Sequence, residues 1–222
     1  MQGINNRVGG GDMKVLLLGA TGLVGQEVLS RLLDHPQVSA VVAPVRRPLQ
    51  REHSCLTSPV VDFAQLEQGG ERWHVDAVIC ALGTTLKAAG SRDAFRWVDL
   101  ELPLWFARQA RAGGAQRFSL NSALGASPHS RFFYSRVKGE LEDALGGLDF
   151  NSLTIVRPGL IDGQRLEVRR GERLGLAASR LLRPLLPRQW RPSPVSRIAQ
   201  ALVDGAVLAP AGRHLVEARD LA

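Results

Sequence analysis

Apolar residues along this chain follow two alternating rhythms from residue 14 onward. Short, nearly unbroken apolar runs at 15–18, 38–43 and 75–82 predict buried strands, and longer stretches with apolar positions every three or four residues predict amphipathic helices. The first helix buries Leu23, Val24, Val28, Leu29, Leu32 and Leu33 and stops at His35-Pro36. Val60-Val61 leads a third strand into Asp62-Phe63. A long helix begins around Ser91, runs through 94–112 with Pro103 bending it, and closes at Gly113-Gly114. Strand 116–121, helix 132–145 ended by Gly146-Gly147, and strand 152–156 follow. Beyond Arg157, residues 174–186 and 195–208 predict helices, with the Pro- and Arg-rich stretch 184–195 irregular, and 214–217 predicts a last short strand. Strands alternating with helices imply right-handed βαβ units, hence an α/β, doubly wound parallel sheet of the Rossmann type. Residues 157–222 are expected to add a small C-terminal extension that shapes a substrate pocket. No linker or repeat divides the chain, so residues 13–222 form one domain behind a loose tail, 1–12, with Met13 a candidate start.

The junction of the first strand and first helix, "LLGATGLVG", holds Gly19, Gly22 and Gly25. Glycine costs about 0.5–1 kcal/mol inside regular structure but permits positive φ and close approach of another backbone or a ligand. At a strand-to-helix turn, free N–H groups and the positive end of the helix dipole can hold a pyrophosphate. The alternative is a tight turn that needs small residues. The spacing is G-x-x-G-x-x-G, with Ala20 where the usual fingerprint has its first glycine. Twenty residues after Gly25 stands Val45, followed by Arg46 and Arg47, and no acid occurs between Ser39 and Arg51. An acid there would hold a ribose 2′-hydroxyl, whereas arginine accommodates a 2′-phosphate, so NADP(H) is favoured over NAD. Two surface arginines in an Arg-rich chain are the alternative.

Charge adds little to this. The net charge of +7 lies mostly in residues 157–222, where 12 arginines face 6 acids. All but three of the 28 basic residues are arginines, scattered singly and without interleaved aromatics, which argues against a nucleic-acid partner. No apolar run reaches the ~18 residues of a membrane span. Two cysteines without metal-type spacing, Cys55 and Cys80, and the lack of a leader-like N-terminus predict a reduced, cytoplasmic protein with no metal.

Candidate chemistry lies further on. Tyr134 is the only tyrosine and Lys138 one of three lysines, and at i, i+4 they share one helix face. An ammonium beside a phenol stabilises its conjugate base, as a general acid or base for a carbonyl or alcohol requires. Upstream, "FSLNSALGA" puts Ser122 at the carboxyl end of the fifth strand, where it could bond a substrate oxygen or simply form a turn.

Taken together, GATGLVG, the arginine pair, Asp62-Phe63, "CALGTT" at 80–85, "NSALGA", "YSRVKGELE" at 134–142, "RPGLIDG" at 157–163 and "RRGERLG" at 169–175 resemble the short-chain dehydrogenase/reductase superfamily. The chain is similar to its atypical, NADP-binding branch, the family of HIV-Tat-interacting oxidoreductase-like proteins and their bacterial relatives. That resemblance implies that Gly19, Thr21, Gly22, Leu23, Val24 and Gly25 hold the pyrophosphate, and Arg46 and Arg47 the 2′-phosphate. Asp62 and Phe63 would border the adenine, and Ala81, Leu82 and Gly83 its ribose. Tyr134 would donate the proton, Lys138 bind the nicotinamide ribose, Ser122 orient a carbonyl, and Pro158 with Gly159 back the nicotinamide. Where relatives with a catalytic tetrad carry Asn, this chain has Asp99. The reading is an NADP(H)-dependent oxidoreductase of a small carbonyl or alcohol; the alternative is a non-catalytic NADP(H)-binding regulator. The resemblance also implies a homodimer through the fourth and fifth helices, with Phe95, Trp97, Trp105 and Phe106 as apolar area, and a buried core explains those rings equally.

Overall fold

The computed structural model describes residues 13–66, 73–162 and 192–222. The tail, the helix at 174–186, the "RRGERLG" stretch and most of 184–195 lie outside the described residues. Strands β1 (Met13–Leu18), β2 (Val38–Val42), β3 (Leu56–Thr57), β4 (Ala77–Cys80), β5 (Arg117–Asn121), β6 (Ser152–Arg157) and β9 (Gly212–Glu217) form one parallel sheet in the order β3-β2-β1-β4-β5-β6-β9. The chain leaves β1 outward in one direction, then returns to β4 on the other side of β1 and continues outward. That reversal opens a crevice beyond the carboxyl ends of β1 and β4, where open α/β sheets bind ligands.

Alternate side chains of each strand feed opposite layers. Val15 and Leu17 face helix α1 (Leu23–Leu33) and the C-terminal helix α6 (Val195–Val207), whose Ile198, Leu202 and Val203 are buried there. Leu16 and Leu18 face the other layer, α4 (Leu102–Ala112) and α5 (Phe133–Gly146), where Phe106, Val137, Leu141 and Leu145 close the core. Phe95 and Phe106 are interior residues of this layer, and Trp105 stacks edge-on to Trp73 and Phe106. From residue 192 onward the chain therefore completes the central fold: α6 packs on α1, and β9 pairs with β6 over six positions.

Three expectations change. The third strand lies at Leu56–Thr57; Val60 forms only an isolated bridge with Val45, because Pro59 has no N–H to donate between the bonds Ala43 N–H to Thr57 O and Val61 N–H to Val45 O. The long helix divides into α3 (Arg92–Arg96), a π turn (Trp97–Glu101) and α4, and a separate short helix, α2 (Leu86–Ala89), precedes it. Ser91 does start α3, its hydroxyl accepting from the amide of Ala94 at 3.0 Å. Pro103 cannot close an α-type bond to the carbonyl of Asp99, and the helix widens just before it, Leu102 N–H bonding Trp97 O. Finally, a small parallel pair not foreseen from the pattern joins β7 (Ile161–Asp162) to β8 (Ser193–Pro194). Among the described residues no helix is long and apolar enough to cross a membrane.

Candidate functional site

The three glycines after β1 do three different things. Gly19 takes φ +85°, and a Cβ on it would stand 2.8 Å from the carbonyl carbon and oxygen of Ala81. A Cβ on Gly25 would lie 1.9 Å from Gly19 O, so α1 packs backbone to backbone on the turn. Gly22 is exposed, and its Cβ would meet only Gly19 O, at 3.4 Å. Two glycines thus close the turn and the third leaves its face open. Gly22 is also the N-cap of α1, with no side-chain cap and no acid in the first turn. The amides of Leu23, Val24 and Gly25 are those that a helix start leaves without an internal acceptor.

A cleft of about 490 Å3 lies in front of this turn. It gathers Gly19, Thr21, Gly22, Arg46, Phe63, Ala81, Leu82 and Gly83, with Trp97 and Val98 of the π turn along its far wall. A second, more open hollow of about 460 Å3 adjoins it between Arg46, Val61, Asp62 and Phe63. Asp62 accepts a bond from Ala64 N–H at 2.9 Å, which fixes the short turn that presents Phe63. Arg47 is exposed and lines neither space. Val24 and Gly25 are buried behind the turn.

Helix α5 carries Tyr134, 44% exposed, one helical turn before Lys138, which is 3% exposed, and neither side chain lines the cleft. The Tyr134 ring packs on Phe95 with centroids 5.8 Å apart. Lys138 Nζ lies 2.7 Å from Asp99 Oδ1, and the other Asp99 oxygen accepts from Thr84 N–H at 2.9 Å. Burial works against the charge on Lys138, but the Asp99 carboxylate, helped by the Tyr134 side, outweighs it and holds the ammonium above the ordinary lysine range. A Cβ on Gly83 would stand 3.8 Å from Lys138 Nζ, so the cleft ends against the lysine.

Ser122 is placed differently from the pair. Its buried hydroxyl donates to the carboxylate of Glu142, which also takes two bonds from the Arg157 guanidinium. Glu142 is two turns past Tyr134, about 12 Å along the helix axis. Arg157 leads into Pro158 and Gly159, which are tied down by Leu124 N–H on Pro158 O at 2.9 Å and by Gly159 N–H on the Ser193 hydroxyl at 3.2 Å. Sequence reasoning missed Glu142 and Arg157 as partners and did not foresee the Asp99–Lys138 contact. One signal was available for Glu142: it continues the 134, 138 stripe at the same four-residue step. Among the described residues no cluster of His, Cys, Asp and Glu could hold a metal.

Comparison with known proteins bears on all of this. No family model matches the chain. It is 34% identical over 209 residues to protein HTATIP2 of Rattus norvegicus, covering 91% of this chain and 84% of the rat protein. It is 37% identical over 161 residues to FMP52 of Saccharomyces cerevisiae, a protein named as mitochondrial, covering 69% of this chain and 68% of the yeast protein. Among solved structures, the Bordetella bronchiseptica enzyme WbmG in complex with NAD and UDP superposes with a TM-score of 0.66 at 16% identity, over 95% of this chain and 74% of that one. ElxO with NADPH bound gives 0.65 at 13% identity, over 94% and 98%. The expectation of a Rossmann-type α/β fold around a parallel sheet is borne out. The cytoplasmic expectation is overturned by the mitochondrial fungal relatives. Its physical basis was too coarse, since two free thiols fit any reducing compartment. The chain belongs to the atypical short-chain dehydrogenase/reductase family that includes HTATIP2 and FMP52.

Proposed function

We propose that this protein is an NADP(H)-dependent oxidoreductase acting on a small carbonyl or alcohol, with Tyr134 as proton donor and acceptor. The observation that carries the reading is the continuity of the crevice. Its floor runs from the open face of Gly22 to Gly83, and directly behind Gly83 lies the ammonium of Lys138, one turn from the Tyr134 phenol. Gly22 leaves room for a pyrophosphate, the helix start supplies N–H donors, and Arg46 at the adenine end supplies a cation suited to a 2′-phosphate. Asp62 and Phe63 border the adenine, while Ala81 and Leu82 flank its ribose. Arg47 contributes from outside the cleft as a second positive charge.

The bound nicotinamide would supply the hydride. The chain's own part is to place the substrate oxygen at the Tyr134 hydroxyl and to move a proton there. Lys138 stabilises the phenolate that remains and bonds the adjacent ribose. Pro158 and Gly159, braced by Leu124 and Ser193, form the wall behind the reacting ring. Ser122 stands apart, because a hydroxyl that donates to Glu142 has no proton left for a substrate carbonyl. That same bond favours the second reading, an NADP(H)-binding regulator with little turnover.

Nucleotide titration followed by nicotinamide fluorescence tests the cofactor claim. Arg46→Ala is expected to weaken NADPH by about 10- to 100-fold, the loss of a charged hydrogen bond, and to leave NADH nearly unchanged. Equal effects on both would refute the NADP assignment. A carbonyl screen then separates enzyme from regulator: Tyr134→Phe should lower turnover by about 10²–10⁴-fold with NADPH affinity retained.

A further inference from the structure

We infer that Asp99 is a positioning residue that acts through Lys138: its carboxylate is the counter-ion that keeps the buried ammonium charged and aimed at the end of the cleft. The inference rests on the reading of Tyr134 and Lys138 given above and assigns the regulation of their charge.

Both partners are almost fully removed from water, at 3% and 0% exposure, and their atoms meet at 2.7 Å. A lysine buried to that degree without a counter-ion loses affinity for its proton, by up to about 3–5 pH units. Among the described residues, the titratable groups facing Lys138 are Asp99 from the π turn, Tyr134 from its own helix and Cys80 from β4. The Cys80 thiol is pushed up to about 11 by burial, so it is neutral at working pH, and a phenol in its acid form carries no charge. Asp99 is the one carboxylate of that set.

The backbone is built to hold it there. The π turn before Pro103 widens the helix at Asp99, and Thr84 N–H fixes the second carboxylate oxygen. A Cβ on Gly83 would stand 3.6 Å from Asp99 Oδ1, so the ion pair lies directly behind the glycine that floors the cleft. With one ammonium proton directed at Asp99, two remain for other acceptors.

With only three lysines in the chain, Lys14, Lys87 and Lys138, the claim can be read directly. Protein carrying 13C- and 15N-labelled lysine is titrated by NMR, with Lys138→Met assigning the resonance. In the native protein Lys138 is expected to keep its proton above the ordinary lysine range. In Asp99→Asn, which removes the charge and keeps one of the two acceptor oxygens, Lys138 should titrate about two units or more below its native midpoint. A carboxylate that only braced the fold would leave Lys138 titrating in the variant as it does in the native protein, and that result overturns the inference. Should Asp99→Asn fail to fold, the native titration still decides, because Lys138 losing its proton below the ordinary lysine range refutes a counter-ion role.

NADPH affinity gives the functional arm. For Asp99→Asn it should fall about tenfold as pH passes the Lys138 midpoint, one charge-assisted hydrogen bond, and stay flat for the native protein. Affinity in the variant that ignores the Lys138 titration refutes its action on the cofactor. No NADPH binding at any pH would refute the nucleotide reading instead, and the lysine titration would stand on its own.

Discussion

Gly25→Ala and Gly22→Ala look alike on paper and should behave in opposite ways. At Gly25 the added methyl would sit 1.9 Å from Gly19 O and 2.7 Å from Gly19 C, both backbone atoms. An ordinary carbon–oxygen contact is about 3.2 Å or more, so α1 must move by over about 1 Å along its whole packing face, and no rotamer change can relieve it. Overpacking of this kind costs about 1–3 kcal/mol and more when backbone is the obstacle; the helix propensity gained by alanine returns at most about 1 kcal/mol. A net loss of about 2–3 kcal/mol corresponds to a melting temperature lower by about 5–10 °C for a domain of this size. At Gly22, φ is −78° and the nearest atom stands 3.4 Å away, so alanine fits without strain. Its methyl would occupy the open face in front of the α1 amides. Gly22→Ala should therefore melt within about 2 °C of the native protein and bind NADPH at least about tenfold more weakly. Thermal unfolding by circular dichroism and nicotinamide fluorescence measure the two effects. A Gly25→Ala protein as stable as native would refute the backbone packing, and a Gly22→Ala protein with native affinity would refute the pyrophosphate assignment.

Glu142→Ala should cost about 2–4 kcal/mol in urea unfolding, because it strands the Ser122 hydroxyl and a partly buried Arg157, whereas Glu142→Gln should cost less than half as much. Iodoacetamide at pH 8 should label Cys55 in the folded protein and reach Cys80 only in denaturant, since burial lifts the Cys80 thiol to about 11; prompt double labelling would contradict the core placement. The same shift fixes a sign for stability. The folded chain holds the Cys80 proton while the unfolded chain releases it above its ordinary 9.0, so stability should decline from pH 9 toward 11 and decline less in Cys80→Ala. Asp149, at φ +52° in the turn between α5 and β6, should tolerate glycine with a gain of up to about 1 kcal/mol by chemical denaturation.

The sequence by itself determined the architecture, because parallel strands and their covering helices bury apolar faces whose periods of two and 3.6 are written locally. Helix α1 was legible in its buried stripe from Leu23 to Leu33 and in its stop near His35-Pro36, since stripe and stop signals are neighbours in the chain. The glycine turn was legible as a turn. Which glycine closes it and which faces the cleft depends on where Ala81 arrives, 62 residues later, and only the packed structure decided that. Tyr134 and Lys138 could be paired from spacing because one helix fixes their geometry. Asp99 and Glu142 could not, because their partners, Lys138 for one and Ser122 and Arg157 for the other, come from separate elements. The long helix failed for a related reason: the apolar repeat runs unbroken through 94–112, and the π turn inside it follows from a missing N–H at Pro103 and from what Asp99 meets across the core. Local pattern specifies which face of each element is buried; the identity of the group on the other side of that face is a property of the assembled fold.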